Sequence, residues 1–131
     1  MNTQPFVEHL RMTFPNLMAV YLFGSHAQGH AGPQSDLDLA VLLDGQATAL
    51  QLWPVAGELA DLAGREVDLL DLRAASTVMQ YQVLTHGQRL WAKDARVGIF
   101  EAFILGEKTR LDEARAGLLS DIAKDGHVYG R

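Results

Sequence analysis

The hydrophobic residues of this chain form two kinds of pattern, helical spacing and short uninterrupted runs. Phe6, Val7 and Leu10 recur at intervals of three and four, which predicts an amphipathic helix. The seven residues 17–23 are all apolar and end at Gly24, a pattern typical of a buried strand. The same criteria predict helices over residues 3–14, 47–63, 76–85 and 94–124, strands over 17–23, 37–43, 67–72 and 88–92, and a turn over 24–34 with room for one helical turn at 25–28.

Two of the predicted helices leave a choice of boundaries. Pro54 lies inside segment 47–63, so the regular helix either spans it or begins near Trp53. Gly106 leaves segment 94–124 as one long helix or as two joined helices. The element order predicts an α/β (α+β) fold, a small mixed β-sheet covered by helices that we expect on one face of it. We expect a single domain over residues 1–131, with a core at about 15–92 and a C-terminal helix at about 94–124.

Composition and charge exclude several classes of protein. The hydrophobic fraction of 48% and the charged fraction of 21% exclude a disordered or low-complexity chain. The chain has no cysteine, which excludes a disulfide scaffold, a cysteine zinc site and a thiol nucleophile. A net charge of −5 disfavours nucleic acid or an anionic membrane as the main partner. The first ten residues lack an apolar signal core, so we expect a cytoplasmic protein.

Two carboxylates at the start of the second predicted strand are the strongest chemical signal. Strand alternation sends Asp36, Asp38 and Ala40 to one face, so the two carboxylates lie close together and repel each other. A hard divalent cation removes this repulsion, and Mg²⁺ is the common choice where phosphates share the ligand shell. The alternative is structural, because a salt bridge to an arginine would also allow Asp38 to lie inside an apolar run.

A glycine–serine turn precedes these carboxylates. Gly24 and Ser25 follow a strand, and free backbone N–H groups in such a turn bind phosphate oxygens. Other glycine motifs do not match. The segment lacks the Lys and Ser/Thr of a P-loop, the G-x-G-x-x-G of a dinucleotide fold and the G-x-S-x-G of a nucleophile elbow.

The combined motif resembles a known superfamily. Gly24-Ser25, ten further residues and then Asp36-x-Asp38 resemble the signature of DNA polymerase β-like nucleotidyltransferases, and Ser35-Asp36 fits their minimal nucleotidyltransferase (MNT) branch. The resemblance implies that the nucleotide-binding residues are Gly24, Ser25, Ser35, Asp36 and Asp38.

The resemblance also implies a third carboxylate, on a neighbouring strand. Asp68 and Asp71 both lie in the third predicted strand but on opposite faces, so only one can join the site. The resemblance selects Asp68, and we expect Asp71 to be a capping or salt-bridged residue. Asp36, Asp38 and Asp68 are then the catalytic residues and the ligands of Mg²⁺. Gln28 stands where several members carry an arginine, so a phosphate-binding cation is missing there.

The MNT resemblance further implies a substrate and a partner. MNT proteins of this type are antitoxins of HEPN-domain ribonuclease toxins, and they transfer AMP from ATP to a toxin tyrosine. Only about 40 residues follow the predicted sheet, which leaves the acceptor side open to a macromolecule. We therefore expect ATP and a cognate HEPN toxin as partners, no direct nucleic acid, no membrane, and a homodimer or a hetero-oligomer with the toxin. Two alternatives stay open: a small-molecule nucleotidyltransferase of the aminoglycoside type, and a non-enzymatic antitoxin that occludes its toxin.

A few residues outside the motif have both a functional and a structural interpretation. His26 and Arg73 either approach the nucleotide or lie at the surface, where Arg73 would form an ion pair. Trp53 and Trp91 either stack on adenine or pack in the core. The apolar residues of segment 94–124 pack on the sheet or on a partner.

Overall fold

The elements follow the predicted order closely. The computed structural model describes residues 1–29, 31–32 and 35–125, and the side chains among these up to residue 120. Residues 30, 33 and 34 of the predicted turn therefore lie outside the described residues. The elements are α1 (Gln4–Thr13), β1 (Leu17–Phe23), α2 (Ser25–Gln28), β2 (Leu37–Leu43), α3 (Ala49–Ala63), β3 (Val67–Asp71), a 3₁₀ turn (Leu72–Ala74), α4 (Thr77–His86), β4 (Gln88–Ala92) and α5 (Arg96–Asp125).

The four strands form one mixed sheet in the order β3-β2-β1-β4. β1 runs antiparallel to both β2 and β4, whereas β2 and β3 run parallel. The carboxyl end of β1 therefore lies next to the amino ends of β2 and β3, at one end of the strands. This end of the sheet carries the Gly24–Ser25 turn and the predicted carboxylates.

Helices cover both faces of the sheet, so the expectation of a single covered face is wrong. Leu39 and Val41 of β2 pack with α1 and α3 in one buried cluster. Ala40 and Leu42, on the opposite face, pack in a second cluster with Val83 of α4. The sequence pattern already contained this result, because β1 and β2 are apolar at nearly every position and not only at alternate ones.

Local signals fix the two boundaries that the sequence left open. α3 begins at Ala49 because Thr48 and Gln51 form a reciprocal capping box, and Pro54 is accommodated inside the helix. The alternative start near Trp53 is wrong. α5 is a single helix through Gly106, so the alternative of two helices is also wrong within the described residues.

The two ends of α5 have different surroundings. Val97 and Ile104 are buried, Val97 in the cluster that contains Ala40 and Leu42 of the sheet, whereas Phe103, Leu111 and Leu118 are exposed. The sheet therefore accounts for only the first part of the apolar pattern on this helix. Among the described residues, none of the helices has the length and apolar character needed to cross a membrane.

Asp71 is a structural residue, as expected. Its carboxylate is 5% exposed and accepts hydrogen bonds from the backbone N–H groups of Ala47 (2.9 Å) and Arg73 (3.2 Å). It thereby caps the 3₁₀ turn after β3 and ties the segment before α3 to the end of the sheet. Both of its oxygens are engaged by the fold.

We expect the variant Asp71→Ala to unfold more easily. Its loss leaves two partly buried N–H groups without their acceptor, which costs about 1–3 kcal/mol in the free energy of unfolding. Urea denaturation followed by circular dichroism measures the change. Asp61→Ala, an exposed position on α3, is the matched control and should unfold as the wild type does. Equal stability of the two variants would contradict the structural role of Asp71.

Candidate active site

The turn after β1 brings the backbone directly against a carboxylate. Phe23, the last residue of β1, pairs with Asp38 in the sheet, and Gly24 follows with φ 72° and ψ −154°. Only glycine adopts this backbone conformation readily. A Cβ atom at Gly24 would also overlap Oδ2 of Asp38. Two constraints therefore require glycine at this position of the predicted motif: the backbone dihedral angles and the carboxylate that lies against it.

Asp38 and Asp68 are brought together by the parallel pairing of β2 and β3. Their Cα atoms are register partners, so both side chains project to the same face of the sheet. Burial and the neighbouring charge of Asp68, helped by a hydrogen bond between the two carboxyl groups and by Asp36, raise the pKa of Asp38 to about 6. Two carboxylates this close repel each other when no cation lies between them.

Asp36 lies one residue before β2 and is exposed. It contributes to the raised pKa of Asp38, which places its charge near the pair. Among the described residues, no three carboxylate or histidine side chains are already arranged as a metal cage. The structure thus places Asp38 against Gly24 and opposite Asp68, with Asp36 nearby.

The donor chemistry of this cluster fits a hard divalent cation. Its groups are carboxylate oxygens, which Mg²⁺ prefers, and a bound cation would offset their mutual repulsion. The salt-bridge alternative for Asp38 is not realised, because the groups that shift its pKa include no arginine. The residues present therefore suit Mg²⁺.

Ser35, another of the predicted nucleotide-binding residues, forms a hydrogen bond within its own loop. Its hydroxyl accepts a hydrogen bond from the backbone N–H of Gly32 at 2.9 Å. Its carbonyl oxygen lies 3.4 Å from Nη1 of Arg65, which can donate to it. Ser35 therefore shapes the approach to Asp36, while Ser25 lies at the start of α2 beside Gly24.

Arg65 is the residue that the sequence analysis missed. It follows Gly64, the left-handed end of α3, and its Nη1 donates to Nε2 of His26 at 3.1 Å. The same Nε2 lies 3.3 Å from the carbonyl oxygen of Ser35, so His26 and Arg65 together contact the segment before Asp36. Arg65 thus brings a positive charge to the loop in which Gln28 stands. No sequence spacing signals this, because 39 positions separate Arg65 from His26.

The alternative in which Arg73 approaches the nucleotide is wrong. Its Nε donates to the carbonyl of Leu43 at 3.0 Å, and its guanidinium lies 5.1 Å from the ring centroid of Phe100. Leu43 is at the far end of β2, about 16 Å along the strand from Asp38. Nor is Arg73 a surface ion pair, since its partners are a carbonyl group and an aromatic ring.

A groove adjoins Asp68 on the outer side of β3. It has a volume of about 520 Å³ and lies between α3 and β3, with Trp53, Gly57, Glu66 and Asp68 in its lining. Trp53 is 82% exposed, so the alternative in which it packs in the core is wrong. Trp91 is half-buried against the core beneath the guanidinium of Arg11, which fits the packed alternative.

The chain matches one protein family over most of its length. Residues 7–96 match the family model described as Polymerase beta, Nucleotidyltransferase. The chain is also 34% identical over 122 residues to Protein adenylyltransferase MntA of Shewanella oneidensis, an alignment that covers 93% of this chain and 88% of that protein.

Solved structures are similar over the same extent. One is a toxin–antitoxin complex with AMP-PNP, in which the matching chain is 34% identical with a TM-score of 0.83, over 94% of this chain and 99% of that chain. Another is tri-AMPylated Shewanella oneidensis HEPN toxin in complex with MNT antitoxin, 32% identical with a TM-score of 0.74, over 92% and 94% of the two chains.

The raised pKa of Asp38 predicts how stability depends on pH in metal-free buffer. The folded state binds the Asp38 proton more tightly than the unfolded state, whose carboxyl has the ordinary value of 3.8. The protonated Asp38 therefore makes its full contribution to the free energy of unfolding below about pH 4, and this contribution is lost as the pH rises through about 6. The variant Asp38→Asn has no charge at this position, so its stability does not fall over this pH range. At pH 7 its midpoint of thermal unfolding should exceed that of the wild type by a few degrees, which corresponds to about 1 kcal/mol after solvent screening. The two midpoints should converge at pH 4, and a wild type at least as stable at pH 7 would contradict the carboxylate pairing.

Proposed function

Since the chain belongs to the polymerase β nucleotidyltransferase family, we propose that it transfers AMP from ATP to a tyrosine of a HEPN-class toxin and acts as its antitoxin. The observation that carries this proposal is the meeting of Asp38 and Asp68 beside Gly24. It occurs in a chain that aligns almost end to end with a protein adenylyltransferase. The similar complexes with AMP-PNP and with AMPylated toxin support both the nucleotide and the acceptor.

Phosphoryl-type transfer depends mainly on positioning and on neutralising charge. The backbone N–H groups of Gly24 and Ser25 hold the pyrophosphate portion of ATP, because the turn lets a phosphate approach the main chain. Asp36, Asp38 and Asp68 hold Mg²⁺, which supplies positive charge to the phosphates when bound. Arg65, beside the loop, adds a cation of the chain itself near this end of the site.

The reaction exchanges one phosphorus–oxygen bond for another. The phenolic oxygen of the acceptor tyrosine forms a bond to the α-phosphorus, and the bond from that phosphorus to the pyrophosphate oxygen breaks. The phenolic proton passes to Asp68, a carboxylate at the outer strand of the sheet, open to an incoming partner. The products are an AMP–tyrosine ester and pyrophosphate.

The chain's organisation and location follow from this proposal. We infer that residues 1–131 act as one nucleotidyltransferase domain, supported by the family match over residues 7–96. We place the reaction in the cytoplasm, where ATP and Mg²⁺ are both supplied and where a toxin of the ribonuclease class meets its substrate.

The double variant Asp36→Asn, Asp38→Asn should fold normally and lose transfer. Removing both charges removes the cation-binding capacity of β2, and loss of residues that merely support metal ligands already costs about 10–100-fold. We expect a fall of more than about 100-fold in the rate at which AMP appears on the toxin. Intact-mass spectrometry after incubation with ATP, Mg²⁺ and the HEPN-class protein encoded in the adjacent open reading frame measures it.

Asp61→Asn is the matched control for this experiment, because it removes one exposed carboxylate from α3 and should leave the rate unchanged. A wild-type protein that adds no AMP to the toxin would overturn the proposed function. A double variant that still neutralises the toxin without adding AMP would favour the occlusion alternative.

A further inference from the structure

The backbone on both sides of Asp36 is held by two consecutive residues from the junction between α3 and β3. The backbone N–H of Leu37 donates to the carbonyl of Glu66 at 2.9 Å. The carbonyl oxygen of Ser35 lies 3.4 Å from Nη1 of Arg65, which can donate to it. Asp36 is exposed and precedes β2, so these contacts order a residue that the core does not cover.

We infer that Arg65 is a positioning residue for Asp36, and that it fixes this carboxylate as a ligand of Mg²⁺ by holding the backbone carbonyl of Ser35. The inference rests on the proposed function and adds to it a residue from outside the motif. It also assigns a role to a side chain that neither the core nor an ion pair explains.

The end of α3 places Arg65 beside the segment before β2. Gly64 ends the helix with φ 69° and ψ 25°, a left-handed conformation that glycine adopts without strain. The chain turns there, and Val67 then pairs with Leu37 where the parallel strands begin. Arg65 and Glu66 therefore lie alongside the residues that precede β2.

His26 reaches the same carbonyl from the turn after β1. Its Nε2 lies 3.3 Å from the carbonyl oxygen of Ser35 and 3.1 Å from Nη1 of Arg65. This oxygen belongs to the planar peptide unit that joins Ser35 to Asp36. Contacts that hold the oxygen therefore also restrict the orientation of the Asp36 backbone.

The contacts of Arg65 indicate that it acts through the backbone and not on the carboxylates directly. Among the residues that the structure describes, no carboxylate forms a salt bridge with Arg65. Arg65 is also absent from the groups that shift the pKa of Asp38, whereas Asp36 and His26 are among them. Groups one step behind a metal ligand orient that ligand, and their loss weakens metal binding.

The affinity for ATP, measured by calorimetry with Mg²⁺ and again with EDTA, isolates the contribution of the metal. No toxin is present, so no transfer occurs. We expect Arg65→Ala to weaken binding with Mg²⁺ about 10-fold, as for loss of a group that supports a metal ligand. The affinity in EDTA should stay within about twofold, because only a direct arginine–phosphate contact would be lost there as well.

Two further variants test the route from Arg65 to the metal. In an Asp36→Asn background, Arg65→Ala should change the affinity with Mg²⁺ by less than about twofold, because the charge that it positions is already absent. Arg65→Lys should stay within about threefold of the wild type, because one nitrogen, Nη1, makes both contacts and an ammonium group can replace it.

Arg115→Ala is the matched control, because it removes an exposed arginine from α5. It should keep the wild-type affinity for ATP both with Mg²⁺ and with EDTA. Thermal unfolding followed by circular dichroism checks that every variant is folded at the temperature of the titration.

Each outcome has a defined meaning. Unchanged affinity with Mg²⁺ in Arg65→Ala would overturn the inference, and so would an Arg65→Lys protein as weak as Arg65→Ala. An equal loss in EDTA or in the Asp36→Asn background would also overturn it, because Arg65 would then bind the phosphates itself. A wild type that binds ATP with Mg²⁺ but adds no AMP to the toxin overturns the proposed function and leaves the inference standing.

Discussion

The site depends on an unfavourable contact between two carboxylates. Parallel pairing of β2 and β3 sets Asp38 opposite Asp68, and the backbone at Gly24 closes against Asp38 from the other side. In water these charges would separate, but the sheet holds them in place because both strands are fixed by buried neighbours such as Leu39. The result is a position that binds a proton or a cation, which is what transfer from a nucleotide requires.

The rest of the fold fixes the positions of the strands whose ends carry Gly24, Asp38 and Asp68. Helices on both faces bury every residue of β1 and β2 except Phe23 and Asp38, which are half-buried, so the strands cannot slip relative to one another without exposing apolar residues. At the far end, Asp71 and Arg73 tie β3 and β2 to their neighbouring segments through backbone groups. Charged residues thus have two separate tasks, with structural ones at one end of the sheet and reactive ones at the other.

The site is open to solvent on the side of β3. Asp68 is exposed on this outer strand of the described sheet, and Trp53 of α3 is also exposed. Similar chains are solved in toxin–antitoxin complexes, one with AMP-PNP and one with tri-AMPylated HEPN toxin.

The elements and the motif residues could be predicted from sequence, because they depend on local rules. β1 and β2 have the predicted bounds, Ser76 caps α4, and alternation alone separated Asp68 from Asp71. The contact of Arg65 with His26 and the exposure of Trp53 required the tertiary structure. These features depend on which distant segments pack together, and the spacing of residues along the chain does not indicate that packing.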